Sequence, residues 1–247
     1  MKFPTNKPVK ITVLGTGGTG GHAIPHLYRL LHSLGRPAKI LICDGDTVEE
    51  KNLLRQNFIK ADLGKNKAQA LAERYAPAFR MELLYVPEFI ENESRLAELV
   101  KPDVYCPYPH SHQTDEALSV LIGCVDNNKS RQMCHNVFMA SRNLTYIDSG
   151  NGEHTGQVIC GVRRGGRTYG KPAGSLYPDI LENPGKFPSQ LSCAEAAVSE
   201  PQTIAANIMA ATAIVSFAYN MLAFGEIKTK NVTFSTKTVN MKPGTAA

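Results

Sequence analysis

The stretch Lys10-Ile11-Thr12-Val13-Leu14-Gly15-Thr16-Gly17-Gly18-Thr19-Gly20-Gly21 decides how the chain is read. Its first half is a short apolar run. Its second half is a glycine cluster in which Gly15, Gly17 and Gly20 satisfy the spacing GxGxxG. Ile24, Leu27, Leu30, Leu31 and Leu34 then share one helical face, and the pattern stops near Gly35 and Pro37. Lys39 to Cys43 reads as a buried strand. Strand, glycine turn, helix and strand make a βαβ unit with a right-handed, parallel crossover. Such a turn lets phosphate oxygens reach backbone N–H groups, and the helix N-terminus adds a favourable dipole. Asp44 ends the second strand, where a carboxylate accepts hydrogen bonds from ribose hydroxyls. The unit predicts a nucleotide site without naming the nucleotide.

Outward from this unit the chain keeps alternating. A helix is expected over Asn66 to Tyr75, a strand over Met81 to Val86 and a helix over Ser94 to Val100. A Pro/Tyr/His-rich loop, Pro102 to His112, precedes the apolar run Leu118 to Val125, which ends in Asp126-Asn127-Asn128. Arg131 to Ser141 reads as helix, Leu144 to Ile147 as strand, and Gln157 to Val162 as an antiparallel addition to the sheet. The segment 163–191 is rich in Gly, Pro, Arg and Ser and is expected to be a functional or partly mobile crossover loop. A long helix over about 201–224 follows, with Pro201 in its first turn, then a β-like run from Asn231 to Val239 and a loose tail. The expectation is one α/β domain over 1–247, Rossmann-like and doubly wound, with a mostly parallel sheet and antiparallel additions at its C-terminal side.

Pro201 to Gly225 carries no charge and is long enough to span a bilayer, but Gln202, Asn207 and Asn220 interrupt it and alanine dominates over leucine. It reads as a buried core or dimer-interface helix. The formal charge of +5 is spread along the chain, which suits a phosphate-bearing ligand or an acidic partner and does not call for nucleic acid. Six cysteines (Cys43, Cys106, Cys124, Cys134, Cys160, Cys193) form no CxxC pair, as expected of reduced thiols in a cytoplasmic protein. No apolar run before Lys10 resembles a signal peptide.

Beyond the glycine loop, the extra glycine Gly18, the run Cys43-Asp44-Gly45-Asp46-Thr47-Val48 and the run Asn52-Leu53-Leu54-Arg55-Gln56 resemble the ThiF/MoeB/HesA group. That group belongs to the superfamily of the ubiquitin-activating enzymes. Lys67 falls where the group has an active-site lysine, Asp126 on its magnesium-holding aspartate, and Arg131 at the family interval. Ser192-Cys193-Ala194-Glu195-Ala196 and the final helix match as well. Within the group the chain is most similar to ThiF-related members of PRTRC plasmid cassettes. The resemblance implies that a carboxylate attacks the α-phosphorus of ATP, giving an acyl-adenylate and pyrophosphate. The substrate would be the C-terminal glycine of a ubiquitin-like or sulfur-carrier protein, and the enzyme a homodimer. Arg55 and Lys67 would supply charge to the phosphates, Asn52 and Gln56 hydrogen bonds, Asp126 a hold on Mg²⁺, and Asp44 a grip on the ribose. Asp46 is read either as part of the site or as the cap of a helix beginning near Glu49.

The chain also departs from the group. It lacks the two CxxC pairs that hold a structural zinc in relatives, so no zinc is expected. The N-terminal arginine that relatives extend into the neighbouring subunit has only Lys7 or Lys10 as stand-ins, without the bidentate fork. Cys193 is the candidate thioester nucleophile and Cys160 the weaker one. Cys106, His110 and His112 form an irregular set poorly suited to a metal, and His22 and His26 read as packing or surface residues. A small-molecule or tRNA carboxylate as substrate, an NAD(P)-dependent oxidoreductase and a non-catalytic adaptor remain as alternatives. The segment Arg163-Arg164-Gly165-Gly166-Arg167 leaves RNA open.

Overall fold

The apolar run at Val9–Leu14 forms β1, which pairs in parallel with β2, Ala38–Cys43, from Val9 opposite Ala38 to Leu14 opposite Cys43. The computed structural model describes residues 1–105, 115–190 and 201–244. Between these strands runs α1, Gly18–Ser33, which buries Ala23, Ile24, Leu27, Tyr28, Leu30 and Leu31. Pro25 lies inside α1 and cannot donate to the carbonyl four residues back. That carbonyl, on Gly21, accepts instead from Asn57 Nδ2 at 3.0 Å.

Then come α2 (Lys67–Ala78), β3 (Tyr85–Val86), α3 (Glu93–Val100) and a two-stranded ribbon of β4 (Val104–Tyr105) with β5 (Asp115–Glu116). β6 (Leu118–Gly123), α4 (Asn128–Ala140), β7 (Leu144–Asn151) and β8 (Thr155–Arg164) continue the sheet. β9 (Arg167–Gly170), the short helices α5 (Ala173–Leu176) and α6 (Asp179–Glu182), α7 (Ile204–Leu222), β10 (Asn231–Ser235) and β11 (Asn240–Pro243) complete the described chain. The strand order is β11-β10-β8-β7-β6-β1-β2-β3, with β9 on β8. β3, β2, β1, β6 and β7 run parallel, whereas β8 and the strands beyond it are antiparallel. One apolar cluster joins the sheet to α1, α2 and α7, and a second, drawn from α3 and α4, covers the other face. The expected doubly wound, mostly parallel α/β architecture is the one observed.

The strand order reverses between β1 and β6, so the C-terminal ends of these two strands open the crevice where α/β sheets hold ligands. Gly15 follows β1 and Asp126 follows β6, which puts both sequence motifs at this end of the sheet. Gly15 has φ +91°, and a Cβ there would lie 2.6 Å from the Cys124 carbonyl oxygen, so only glycine lets the chain turn so close to β6.

Several boundaries differ from the sequence reading. The segment 163–191, expected as a functional or partly mobile crossover loop, carries regular elements over its described residues 163–190. Gly165 and Gly166, both at positive φ, turn β8 back into β9, and α5 and α6 follow. Pro201 is not in a first helical turn: α7 starts at Ile204, after Thr203, whose Oγ1 accepts from the Ala206 N–H at 3.2 Å. The run 231–239 is a five-residue strand whose hairpin partner β11 occupies much of the supposed tail. The strand expected over Met81 to Val86 is only Tyr85–Val86. Among the described residues, α7 is the one helix long and apolar enough to cross a membrane, and half of it is buried in the structure.

Candidate active site

The glycine turn is held from the β2 side. Asp44 is buried, and its Oδ2 accepts from the Thr16 backbone N–H and the Thr16 hydroxyl, each at 2.7 Å, while Oδ1 accepts from the Asp46 N–H at 2.9 Å. Burial pushes its carboxyl above the usual range, against the pull of these bonds and of Lys67. An ionised carboxylate offers about four acceptor positions. Asp44 therefore braces the turn and keeps about one acceptor position for a ribose hydroxyl. Asn66 caps α2 by accepting from the Gln69 N–H, and its Nδ2 donates to the Asp44 and Asp46 carbonyls. Lys67, the first residue of α2, is buried and places Nζ 2.9 Å from Asp46 Oδ2. Asp46 thus pairs with Lys67 and does not cap the following turn. Asn52 Oδ1 does that by accepting from the Glu49 N–H at 2.9 Å.

A second cluster stands at the N-terminus of α1. Gly17 is its N-cap with no side-chain cap, and no acidic residue lies in the first turn. Among the described residues no acceptor meets the N–H groups of Gly17, Gly18, Thr19 or Gly20, which leaves a set of open donors. Arg55 follows the 3-10 turn Glu50–Leu54, and its carbonyl sits 3.0 Å from His22 Nε2. Arg55 Nη1 donates to Gln202 Oε1 at 3.1 Å and to Asn207 Oδ1 at 3.3 Å. Asn207 Nδ2 donates to Gln202 Oε1 and Thr19 Oγ1, and Thr19 Oγ1 donates to Asn151 Oδ1 at 3.0 Å. A Cβ on Gly18 would collide with Asn207 Oδ1 and lie 2.7 Å from Arg55 Nη1. The extra glycine therefore makes room for this cluster.

The β6 end carries the third element. Asp126 is exposed, and no described residue bonds its carboxylate. Asn127 caps α4 by accepting from the Ser130 N–H. Arg131 ties this turn to the end of β7, donating to the Val125 carbonyl at 3.0 Å and the Ser149 carbonyl at 3.1 Å. Its Nε lies 3.7 Å from Asp148 Oδ2, and Tyr146 donates its hydroxyl to Asp148 Oδ1 at 2.6 Å. Around the crevice, Gln56 Oε1, Asn127 Nδ2, Ser149 Oγ and Asn151 Nδ2 are buried with no partner among the described residues. Unmatched buried polar atoms at one end of a sheet fit a site that is completed by a ligand.

Other candidates separate from this constellation. Cys160 is fully buried on β8 and its thiol is pushed up to about 12, so it is no nucleophile at neutral pH. Cys193, Cys106, His110 and His112 lie outside the described residues. The four described cysteines Cys43, Cys124, Cys134 and Cys160 are free thiols. Lys7 and Lys10 lie near the start of β1, away from its Gly15 end, and pair with Asp115 and Asp103, so neither is a free cation for a neighbouring site. Thr16 and Thr19 come to the site within the glycine stretch and Asn66 with the start of α2, whereas Asn151, Gln202 and Asn207 join it with no motif to announce them. The one signal was polarity: Gln202 and Asn207 stand in an otherwise apolar stretch.

A family model described as the ThiF family matches residues 6–246. The chain belongs to the ThiF family. No curated protein matches it. Among solved structures, PaaA is similar with a TM-score of 0.64 at 16% identity, over 95% of this chain and 62% of that one. E. coli MccB with AMPCPP and MccA gives 0.59 at 18% identity, over 97% of this chain and 64% of that one. MccB in complex with N-formylated MccA gives 0.62 at 16%, over 97% and 65%. At these identities the likeness is one of fold, and this ThiF-family chain spans under two thirds of each neighbour.

Proposed function

We propose that the protein binds ATP in the crevice between β1 and β6 and adenylates a carboxylate, the C-terminus of a protein or peptide. The observation that carries this reading is the convergence of open α1 N–H groups, Arg55, Lys67 and the unengaged Asp126 carboxylate at one end of the sheet. A dehydrogenase would need the glycine turn and Asp44 but leaves Arg55, Lys67 and Asp126 without work. The neighbour MccB has been solved with ATP and with MccA, which supports a peptide or protein as substrate.

In this reading the α1 N-terminus and Arg55 receive phosphate oxygens, and Lys67 exchanges Asp46 for them. The carboxylate oxygen attacks the α-phosphorus, the bond to the β-phosphate oxygen breaks, and pyrophosphate leaves with the electron pair. The protein's share is alignment and charge neutralisation. The donor set also fits magnesium. Among the described residues no group of three or more His, Cys, Asp or Glu gathers, and one free carboxylate beside phosphates suits an ion that keeps several waters. Asp126 would hold it, and the ion would supply Lewis-acid polarisation of the phosphates.

The test is ATP–pyrophosphate exchange with candidate carboxylate substrates, preceded by calorimetry with Mg-ATP and NADH. Mg-ATP binding and exchange that depends on a free C-terminal carboxylate are expected. NADH binding without ATP binding would overturn the proposal. ATP binding with exchange driven only by a small carboxylate or a tRNA would overturn its protein-substrate half.

A further inference from the structure

Asn207 has no exposed surface, yet it is an amide in a helix whose other buried residues are Ala, Ile, Phe, Met and Leu. An apolar side chain would pack there without polar atoms to satisfy, so the amide needs a polar reason. Its bonds supply one. Oδ1 accepts from Arg55, and Nδ2 donates to Gln202 and Thr19. Arg55 is 152 residues away in sequence, so this contact joins two distant segments over the first turn of α1.

The partners of Arg55 are also informative. Among the described residues its guanidinium bonds two amide oxygens and no carboxylate. Amide oxygens fix the direction of a guanidinium but leave its charge uncompensated, whereas a carboxylate would cancel it. In the same network Asn151 accepts from Thr19 through Oδ1, while its Nδ2 is buried and meets no acceptor among the described residues. The cluster therefore presents one aimed cation and one spare buried donor beside the open N–H groups of α1.

We propose that Asn207, with Gln202, is a positioning residue for ATP binding: it holds the Arg55 guanidinium over the α1 N-terminus, charged and aimed at the triphosphate. This rests on the ATP reading above. The site is then built from two segments distant in sequence, and α7 serves it through a buried amide. Substitution of Asn207 acts on the nucleotide through Arg55.

A double-mutant cycle on Mg-ATP affinity tests this, with wild type, Asn207→Ala, Arg55→Ala and the pair compared by calorimetry, and thermal melts without nucleotide as the control for folding. Arg55→Ala is expected to weaken Mg-ATP about 100-fold and Asn207→Ala about 10-fold, with the pair no weaker than Arg55→Ala alone. The near-isosteric Asn207→Asp keeps the packing but sets a carboxylate against Arg55, and is expected to weaken Mg-ATP more than Asn207→Ala does. Additive effects in the cycle, or wild-type affinity in both Asn207→Asp and Asn207→Ala, would overturn the positioning role and leave the ATP reading standing. Wild-type protein that binds no Mg-ATP would overturn both.

Discussion

Lys67 and Arg55 are the two cations the sequence motifs bring to the glycine turn, and the fold treats their charges differently. Lys67, on the Asp44 side, is neutralised by Asp46, whose own side chain is 54% exposed. Arg55, on the Gly18 side, is directed by Gln202 and Asn207 and has no carboxylate partner among the described residues. An ion pair with so exposed a partner is worth about 0–1 kcal/mol, so an arriving phosphate can displace Asp46 at small cost. The first attraction for an anion therefore sits at Arg55, and Lys67 joins by exchange. Removing each cation should expose the difference. Arg55→Ala should lose about 100-fold in Mg-ATP affinity, since a hydrogen bond to a charged group is worth about 1.5–3 kcal/mol and more than one is at stake. Lys67→Ala should lose about 10-fold, because part of its gain is spent on leaving Asp46. Calorimetry on the two variants reads both, and equal losses would break the comparison.

Asp126 sharpens the contrast from the anionic side. It is exposed and unengaged, so Asp126→Ala should leave stability within about 0.5 kcal/mol of wild type. Its effect should show only with magnesium present, as a loss of about 10-fold in ATP affinity that disappears when EDTA is added to both proteins. A loss that persists in EDTA would mean that Asp126 acts on something other than the ion.

Much of this arrangement is legible in the sequence. The 3.6-residue spacing from Ile24 to Leu34 and the run at Val9–Leu14 are local signals, and they gave the first helix and strand. The motifs placed Arg55, Lys67 and Asp126 at one end of the sheet because each follows or precedes an element by a fixed count. What the motifs could not give is the identity of a partner that is distant in sequence. Asn207 and Gln202 approach Arg55 only because α7 packs on α1, and a lone polar residue in an apolar helix reads first as an argument about membranes. Of the two readings open for Asp46, the cap is a local rule that the structure does not bear out, whereas its pairing with Lys67 spans 21 residues and is not legible from local pattern. The β8–β9 hairpin has a turn signal in Gly165-Gly166, but the Gly, Pro and Arg content of the whole segment masks that one dipeptide.

Asp46→Asn offers a smaller test of the same contrast. It keeps the shape and the hydrogen bond but removes the charge that offsets Lys67. Mg-ATP should then bind about 3-fold more tightly, because the exchange no longer breaks an ion pair. Weaker binding would show that Asp46 itself takes part in holding the nucleotide or its ion.

The buried counterpart of the Lys67–Asp46 pair is Arg131–Asp148, and there the balance reverses. Asp148 is 2% exposed, and burial holds its carboxyl above the ordinary range despite Arg131 and the Tyr146 hydroxyl. A carboxyl whose folded value is raised binds its proton more tightly in the native than in the unfolded state. Stability therefore falls as pH rises from the unfolded value through the folded one. Asp148→Asn keeps the size and an acceptor for Tyr146 but cannot ionise. Urea unfolding at a series of pH values from about 4 upward should show wild type losing stability relative to the variant as pH climbs. This is a trend of slope and not of affinity, since Asp148 lies behind the crevice and reaches it only through Arg131 and the Val125 and Ser149 carbonyls. The opposite slope would mean that Arg131 outweighs burial, and that the buried pair behaves after all like the exposed one at Lys67.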